Sequence, residues 1–260
     1  MRHLAVDIGT TAIKIAEFDE TGSLKNYVIV QRHQRPFHSS IHNLSLEDAV
    51  PAIKIGIQKA GIQAMRAAVA VPAFAAFTSI SNFIPIKFSS LATAHFETEP
   101  GKNLSIAVPA DFLINYQKIF AGAGIDIISF ELENLSLARL LTRGKNEVVM
   151  IADIGGRSTH FTIAQNGLAK FISHTDFAGV SLTESPNLGR QILDVIISES
   201  ERTARCFKKI YNQEVQEVML CGGGTKIPGV VEHWKNEINL PVKIVKEFDP
   251  ALAVAIGLKL

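Results

Sequence analysis

Leu4-Ala5-Val6-Asp7-Ile8-Gly9-Thr10-Thr11-Ala12-Ile13-Lys14-Ile15-Ala16 opens the chain. Met150-Ile151-Ala152-Asp153-Ile154-Gly155-Gly156-Arg157-Ser158-Thr159-His160-Phe161-Thr162 opens its second half with the same pattern. Each stretch is an apolar run ending in Asp-Ile-Gly, a short polar turn, and a second apolar run. Each second run ends near a turn signal, Thr21-Gly22 in one and Asn166-Gly167 in the other. A third strand is expected around 27–30 and around 169–174. One Asp-Ile-Gly is ordinary turn chemistry. Two copies with matched flanks, each opening a half, indicate a duplicated strand–turn–strand–turn–strand unit.

Outward from the repeats, the apolar periodicity predicts helices over 49–59, 111–121, 131–142, 187–211, 228–237 and 251–258. Ser45 with Asp48 has capping-box spacing, Asp111 reads as a cap, and Gly122 and Gly124 read as stops. Pro228 suits a first helical turn. Val69-Ala70-Val71-Pro72-Ala73 and Ile106-Ala107-Val108-Pro109-Ala110 echo each other as strands feeding a loop at a sheet edge. Ser79 to Phe83 suggests one more strand. Strands alternating with helices in both halves give an α/β class.

The 260 residues suffice for two lobes, and a hydrophobic fraction of 47% suffices for their cores. Lysine plus arginine number 26 against 25 acidic residues, so charge gives no reason to expect nucleic acid or an anionic membrane as partner. Arg32, His33 and Arg35 form a short basic cluster that reads as a solvated loop. Cys206 and Cys221 have no metal-ligand spacing and fit a reducing compartment. The histidines form no zinc pattern. Asp7 interrupts the first apolar run before a signal-peptide core can form. The uncharged stretch 67–86 nears the span of a membrane helix, but Pro72, Pro85, Thr78, Ser79, Ser81 and Asn82 oppose insertion.

A polyphosphate needs many donors and little bulk. Gly9-Thr10-Thr11 and Gly155-Gly156-Arg157-Ser158-Thr159 offer backbone N–H groups in tight turns, with hydroxyls beside them. Asp7 and Asp153 end apolar strands. Two readings stay open for each: a carboxylate facing a hydrated Mg²⁺, or a cap on local N–H groups. A third glycine element, Gly222-Gly223-Gly224-Thr225-Lys226, follows the apolar run 218–220 and precedes a helix. Such glycines let backbone approach a flat ring or a phosphate closely. It is neither a Walker A loop nor a dinucleotide fingerprint.

The order of these three elements resembles the actin/Hsp70/sugar-kinase superfamily. The text between them is similar to the PilM-type proteins of type IV pilus assembly, with FtsA as a relative. That text includes Ala70-Val71-Pro72 with Phe77-Thr78, Gly122-Ala123-Gly124-Ile125, Glu131-Leu132-Glu133 and Leu137-Ala138-Arg139. It continues with Ala178-Gly179-Val180-Ser181-Leu182-Thr183, Glu199 with Arg202-Thr203, Pro228-Gly229 and Ala253-Val254-Ala255-Ile256-Gly257-Leu258.

The resemblance implies an actin-like, ribonuclease H-like two-lobed fold with duplicated mixed sheets flanked by helices. The first lobe would span 1–146 with a reduced inserted subdomain at about 73–130, and the second 147–260. It implies ATP with Mg²⁺ between the lobes. Gly9, Thr10 and Thr11, with Lys14 on the next strand, would hold phosphates from the first lobe, and Gly155, Gly156, Arg157, Ser158 and Thr159 from the second. Asp7 and Asp153 would face the metal. Gly222, Gly223, Gly224 and Lys226 would line the adenosine, and Glu199 and Arg202 would reach ribose or adenine. Glu131, expected on the linking helix, would orient an attacking water or else be a solvated helix residue. Activity would be a slow ATPase at most.

The family's setting implies a cytoplasmic scaffold, peripheral at the inner membrane without inserting into it. It would bind the cytoplasmic N-terminal peptide of a PilN-like membrane protein and other pilus platform proteins, and a homo-oligomer is compatible with it. The stretch 74–86 reads either as a peptide groove or as core strands. Alternatives are an FtsA-like filament former and a small-molecule kinase of the same superfamily. The family has longer segments where this chain runs through 86–104 and 183–187.

Overall fold

The computed structural model describes residues 2–32, 46–81, 90–184 and 186–259. The expectations at His33, Arg35, Ser45, residues 82–86 of the stretch 74–86, and residues 86–89 and 185 of the two short segments lie outside these residues. The described chain divides into two compact units, Met1–Glu133 with Val254–Leu260, and Asn134–Ala253. This division by contacts falls earlier than the expected boundary after residue 146, and the last residues go with the first unit.

In the first unit the chain runs β1 (His3–Ile8), β2 (Ala12–Phe18), β3 (Leu24–Gln31), α1 (Leu46–Lys59), β4 (Arg66–Val71), β5 (Phe77–Ile80), β6 (Leu91–Glu99), β7 (Lys102–Pro109), α2 (Ala110–Ala123) and β8 (Asp126–Leu132). The main sheet has the order β3-β2-β1-β4-β8. β1 is antiparallel to β2 and parallel to β4, so the sheet is mixed. All six residues of β1 are buried, with Leu4-Ala5-Val6 as its apolar centre and Asp7 buried beside it. Leu4, Val6, Ile13, Ile15 and Val69 pack with Ile53 and Ile57 of α1 and Ile119 and Phe120 of α2. Burying each such side chain fully contributes about 1.5–3 kcal/mol. Gly56 lets α1 lie close on the sheet: a Cβ there would stand 2.7 Å from Val30 Cγ2.

A small sheet of order β5-β7-β6 sits between β4 and β8 in the sequence. β7 is its middle strand and runs directly into α2, so no loop follows residue 110 as the sequence echo suggested. Pro109 is the N-cap of α2, and Asp111 lies inside its first turn rather than capping it. Gly122 remains helical; Gly124 ends the helix in the left-handed region at φ 79°.

α3 (Glu133–Thr142) follows, and the second unit then repeats the pattern as β9 (Val149–Ile154), β10 (Thr159–Gln165), β11 (Leu168–Thr175), α4 (Gly179–Glu184), α5 (Pro186–Tyr211), β12 (Glu217–Cys221), α6 (Val230–Glu237), β13 (Val242–Ile244) and α7 (Ala253–Gly257). Its sheet order, β11-β10-β9-β12-β13, reproduces that of the first unit strand for strand. Ile196 and Phe207 of α5 and Trp234 of α6 are fully buried in this unit. α6 begins after Gly229, which caps it at φ 84°, so Pro228 precedes the helix instead of standing in its first turn.

Candidate functional site

The two Asp-Ile-Gly turns are built alike. In the first unit Gly9 N donates to Ala12 O at 2.9 Å; in the second Gly155 N donates to Ser158 O at 3.0 Å. Both bonds run from the glycine to the residue three positions on. Each glycine is pressed by the turn it opens: a Cβ at Gly9 would meet Ala12 O at 3.2 Å, and one at Gly155 would meet Ser158 O at 2.9 Å. The duplication therefore extends from strand order down to single hydrogen bonds.

In each unit the aspartate stands opposite a basic side chain. Asp7 pairs across the sheet with Lys14, whose Nζ donates to Asp7 Oδ2 at 2.7 Å. Asp7 is only 3% exposed, so this ion pair offsets much of the cost of burying its charge. Asp153 stands opposite His160, with Cys221 on its other side and His174 beyond His160. The two imidazoles stack at 5.9 Å. His160 Nε2 lies 2.8 Å from Ser158 Oγ. Thr159 is fully buried and its hydroxyl donates to Phe177 O at 2.8 Å. This hydroxyl is spent inside the fold, which counts against a direct phosphate contact by its side chain.

Beside Asp7 the structure places a carboxylate that the sequence reading passed over. Glu131 belongs to β8, not to the linking helix, because Asp126–Leu132 is a strand and the helix starts at Glu133. Glu131 pairs with Ala70, and Ala70 and Asp7 each lie one residue past the Val6–Val69 pair. Glu131 thus shares a sheet face with Asp7, two strands away. Glu133 is 7% exposed and its Oε1 accepts from Ala73 N at 2.8 Å. Burial first, and then the charge of Asp7, push its carboxyl up to about 7; the Ala73 N–H and the Lys14 charge oppose them. Burial, then Asp7 and Glu133, also raise the Tyr116 phenol far above its ordinary value, so it stays neutral.

The glycine run is tight at two of its three positions. A Cβ at Gly222 would meet Asp153 Oδ1 at 2.2 Å and Ile154 O at 2.5 Å, and one at Gly224 would meet Ile154 Cγ2 at 2.3 Å. A Cβ at Gly223 would meet no protein atom within 4 Å. Gly222 thus lets β12 deliver the run directly beside Asp153. Two ties hold it from behind: Gly222 N donates to Pro250 O at 3.0 Å, and Lys226 Nζ donates to Asp249 Oδ2 at 2.5 Å. Burial raises the Asp249 carboxyl, but Lys226 and the Ala251 N–H outweigh it and lower it overall. Glu199 and Arg202, one turn apart on α5, are bonded to each other at 2.7 Å.

No protein-family model and no characterised relative matches the chain. Solved structures do. A chain of the PilM–PilN type IV pilus biogenesis complex superposes with a TM-score of 0.78 at 17% identity, covering 99% of this chain and 97% of that one. A Bacteroides thetaiotaomicron protein of unknown function with an actin-like ATPase fold gives 0.59 at 10% identity, covering 100% and 96%. MreB5 of Spiroplasma citri bound to ADP gives 0.57 at 13% identity, covering 99% and 95%. This chain has the actin-like ATPase fold.

An actin-like fold explains why both units carry the same turn. It leaves the choice of ligands to the residues. Among the described residues no three acidic, histidine or cysteine side chains gather as a metal cage. Nor is any described helix long and apolar enough to cross a membrane. Glu133 and Asp249 were not singled out by the sequence. For Glu133 a signal existed: Asp126-Ile127-Ile128-Ser129-Phe130 is β-rich, and extending that strand to Leu132 places Glu133 at a helix start.

Proposed function

We propose that this chain is an ATP-binding scaffold of a type IV pilus assembly platform, acting at the cytoplasmic face of the inner membrane. The observation that carries the reading is the duplicated turn: in each unit a strand ends in Asp-Ile and is followed by a glycine turn closed by the same hydrogen bond. The likeness to a chain of the PilM–PilN complex supports the pilus setting. Phosphates would be held by Gly9, Thr10, Thr11 and Lys14 in one unit and by Gly155, Gly156, Arg157 and Ser158 in the other. The run Gly222-Gly223-Gly224 would take the adenosine, with Glu199, Arg202 and Lys226 around it. Asp7 and Asp153 would face Mg²⁺, which neutralises phosphate charge when bound.

Glu133, whose carboxyl burial pushes up to about 7, would accept a proton from an attacking water. Hydrolysis is secondary in this reading. ATP would set the conformation, and the conformation would set affinity for the N-terminal peptide of a PilN-like membrane protein.

Calorimetric titration of Mg-ATP is the test. Micromolar binding that is lost in Asp7→Ala is expected, along with peptide affinity that differs between the ATP-loaded and empty protein. A folded wild type that binds no ATP sinks the nucleotide reading. Equal peptide affinity in both states sinks the switch.

A further inference from the structure

Arg32 follows the last residue of β3 and grips the first Asp-Ile-Gly turn twice. Its backbone N donates to Thr11 O at 2.8 Å, and its guanidinium donates to Gly9 O at 2.9 Å. The second contact has a geometric consequence. A trans peptide is planar, and its C=O and N–H point in opposite directions. Fixing the Gly9 carbonyl toward Arg32 therefore fixes the N–H of Thr10 on the opposite side. Gly9 N is already spent on Ala12 O, whereas the N–H groups of Thr10 and Thr11 find no acceptor among the described residues. These are the donors that an incoming anion would use.

The second unit supplies an independent check. There the carbonyl of Gly155, the counterpart of Gly9, accepts from Gly179 N at 3.1 Å, and Gly156 O accepts from Val180 N at 2.8 Å. The same carbonyl is braced in both units. One unit does it with backbone from the start of α4 and the other with an arginine side chain. Two solutions to one geometric demand indicate that the demand is real.

We infer that Arg32 is a positioning residue of the first phosphate turn: by bracing the Gly9 carbonyl it aims the Thr10 N–H at the nucleotide's phosphates. The inference rests on the nucleotide reading above. It predicts a side chain whose loss weakens phosphate recognition while leaving adenosine recognition alone. The contact is charge-assisted, so losing it should cost about ten- to a hundredfold in ATP affinity.

The experiment titrates ATP and adenosine separately into wild type, Arg32→Ala and Arg32→Lys, with a thermal melt of each. The expected result has four parts: ATP binding weakened at least tenfold in Arg32→Ala, adenosine binding unchanged, melting nearly unchanged, and part of the ATP affinity recovered in Arg32→Lys. Lysine keeps one charged donor without the planar fork. If Arg32→Ala does not fold, the comparison of ATP with adenosine in Arg32→Lys decides instead. Wild-type ATP affinity in a folded Arg32→Ala overturns the inference and leaves the nucleotide reading standing. Equal losses for ATP and adenosine also overturn it, because they indicate general loosening. A wild type that binds neither ligand overturns both.

Discussion

Gly222 and Gly223 are adjacent, chemically identical, and expected to respond oppositely to a side chain. Gly222 has φ 85° and ψ 165°, a region almost confined to glycine, and occupying it with alanine costs of order 1–3 kcal/mol. The new Cβ would also stand 2.5 Å from the Ile154 carbonyl oxygen and 2.2 Å from Asp153 Oδ1. The carbonyl belongs to a strand and cannot yield cheaply, so overpacking adds about 1–3 kcal/mol. Gly222→Ala should therefore lose about 4 kcal/mol, a large part of a typical stability of about 5–15 kcal/mol. In Gly223→Val the new side chain leaves an exposed turn toward open space, so stability should stay within about 0.5 kcal/mol of wild type. ATP binding should fall at least about tenfold in this folded variant if the run lies against the adenosine. Urea denaturation measures the first effect and calorimetry the second. A Gly222→Ala protein as stable as wild type refutes the close approach of the run to β9. Wild-type ATP affinity in Gly223→Val refutes the assignment of the run to the nucleotide.

Two further predictions concern buried carboxylates. Glu133 holds its proton to about pH 7 when folded, against 4.5 when unfolded, so the folded state binds the extra proton in that window. Stability should therefore fall by about 3 kcal/mol as pH rises from 4.5 to 7 and level off above it, and Glu133→Gln should remove this slope in urea melts across pH. No difference in slope between the two proteins would contradict the burial of Glu133. Glu17, fully buried on β2, behaves the other way. Burial raises its carboxyl, but bonds from Asn26 and from the N–H groups of Gln63 and Ala64, with the Arg2 charge, outweigh it and lower it overall. Its contribution is present above the unfolded value of 4.5 and is lost as pH falls through the lowered folded one. Glu17→Ala strands two backbone donors and should cost about 2–4 kcal/mol at neutral pH in chemical denaturation. A loss under about 0.5 kcal/mol would show that those donors do not depend on Glu17.

The sequence alone determined the duplication. Asp7-Ile8-Gly9 and Asp153-Ile154-Gly155 are legible because a buried strand must be apolar and a tight turn must be small, so both leave a local trace. Their order, with the later glycine run, carried the resemblance that implied the actin-like class and its mixed sheets. Local signals also found α5, whose long amphipathic period needs no partner to be seen.

Tertiary structure decided what depends on residues far apart in the chain. Glu131 and Glu133 differ by two positions, and only the pairing of β8 with β4 fixes where strand gives way to helix. The role of Arg32 depends on β3 returning beside β2 to bring it to Gly9. The difference between Gly222 and Gly223 depends on where β9 lies against the run. Composition and period report what each segment prefers. They carry no record of which carbonyl a side chain will meet once two strands have paired, and that meeting distinguishes the bracing arginine and the buried glutamate from ordinary polar residues.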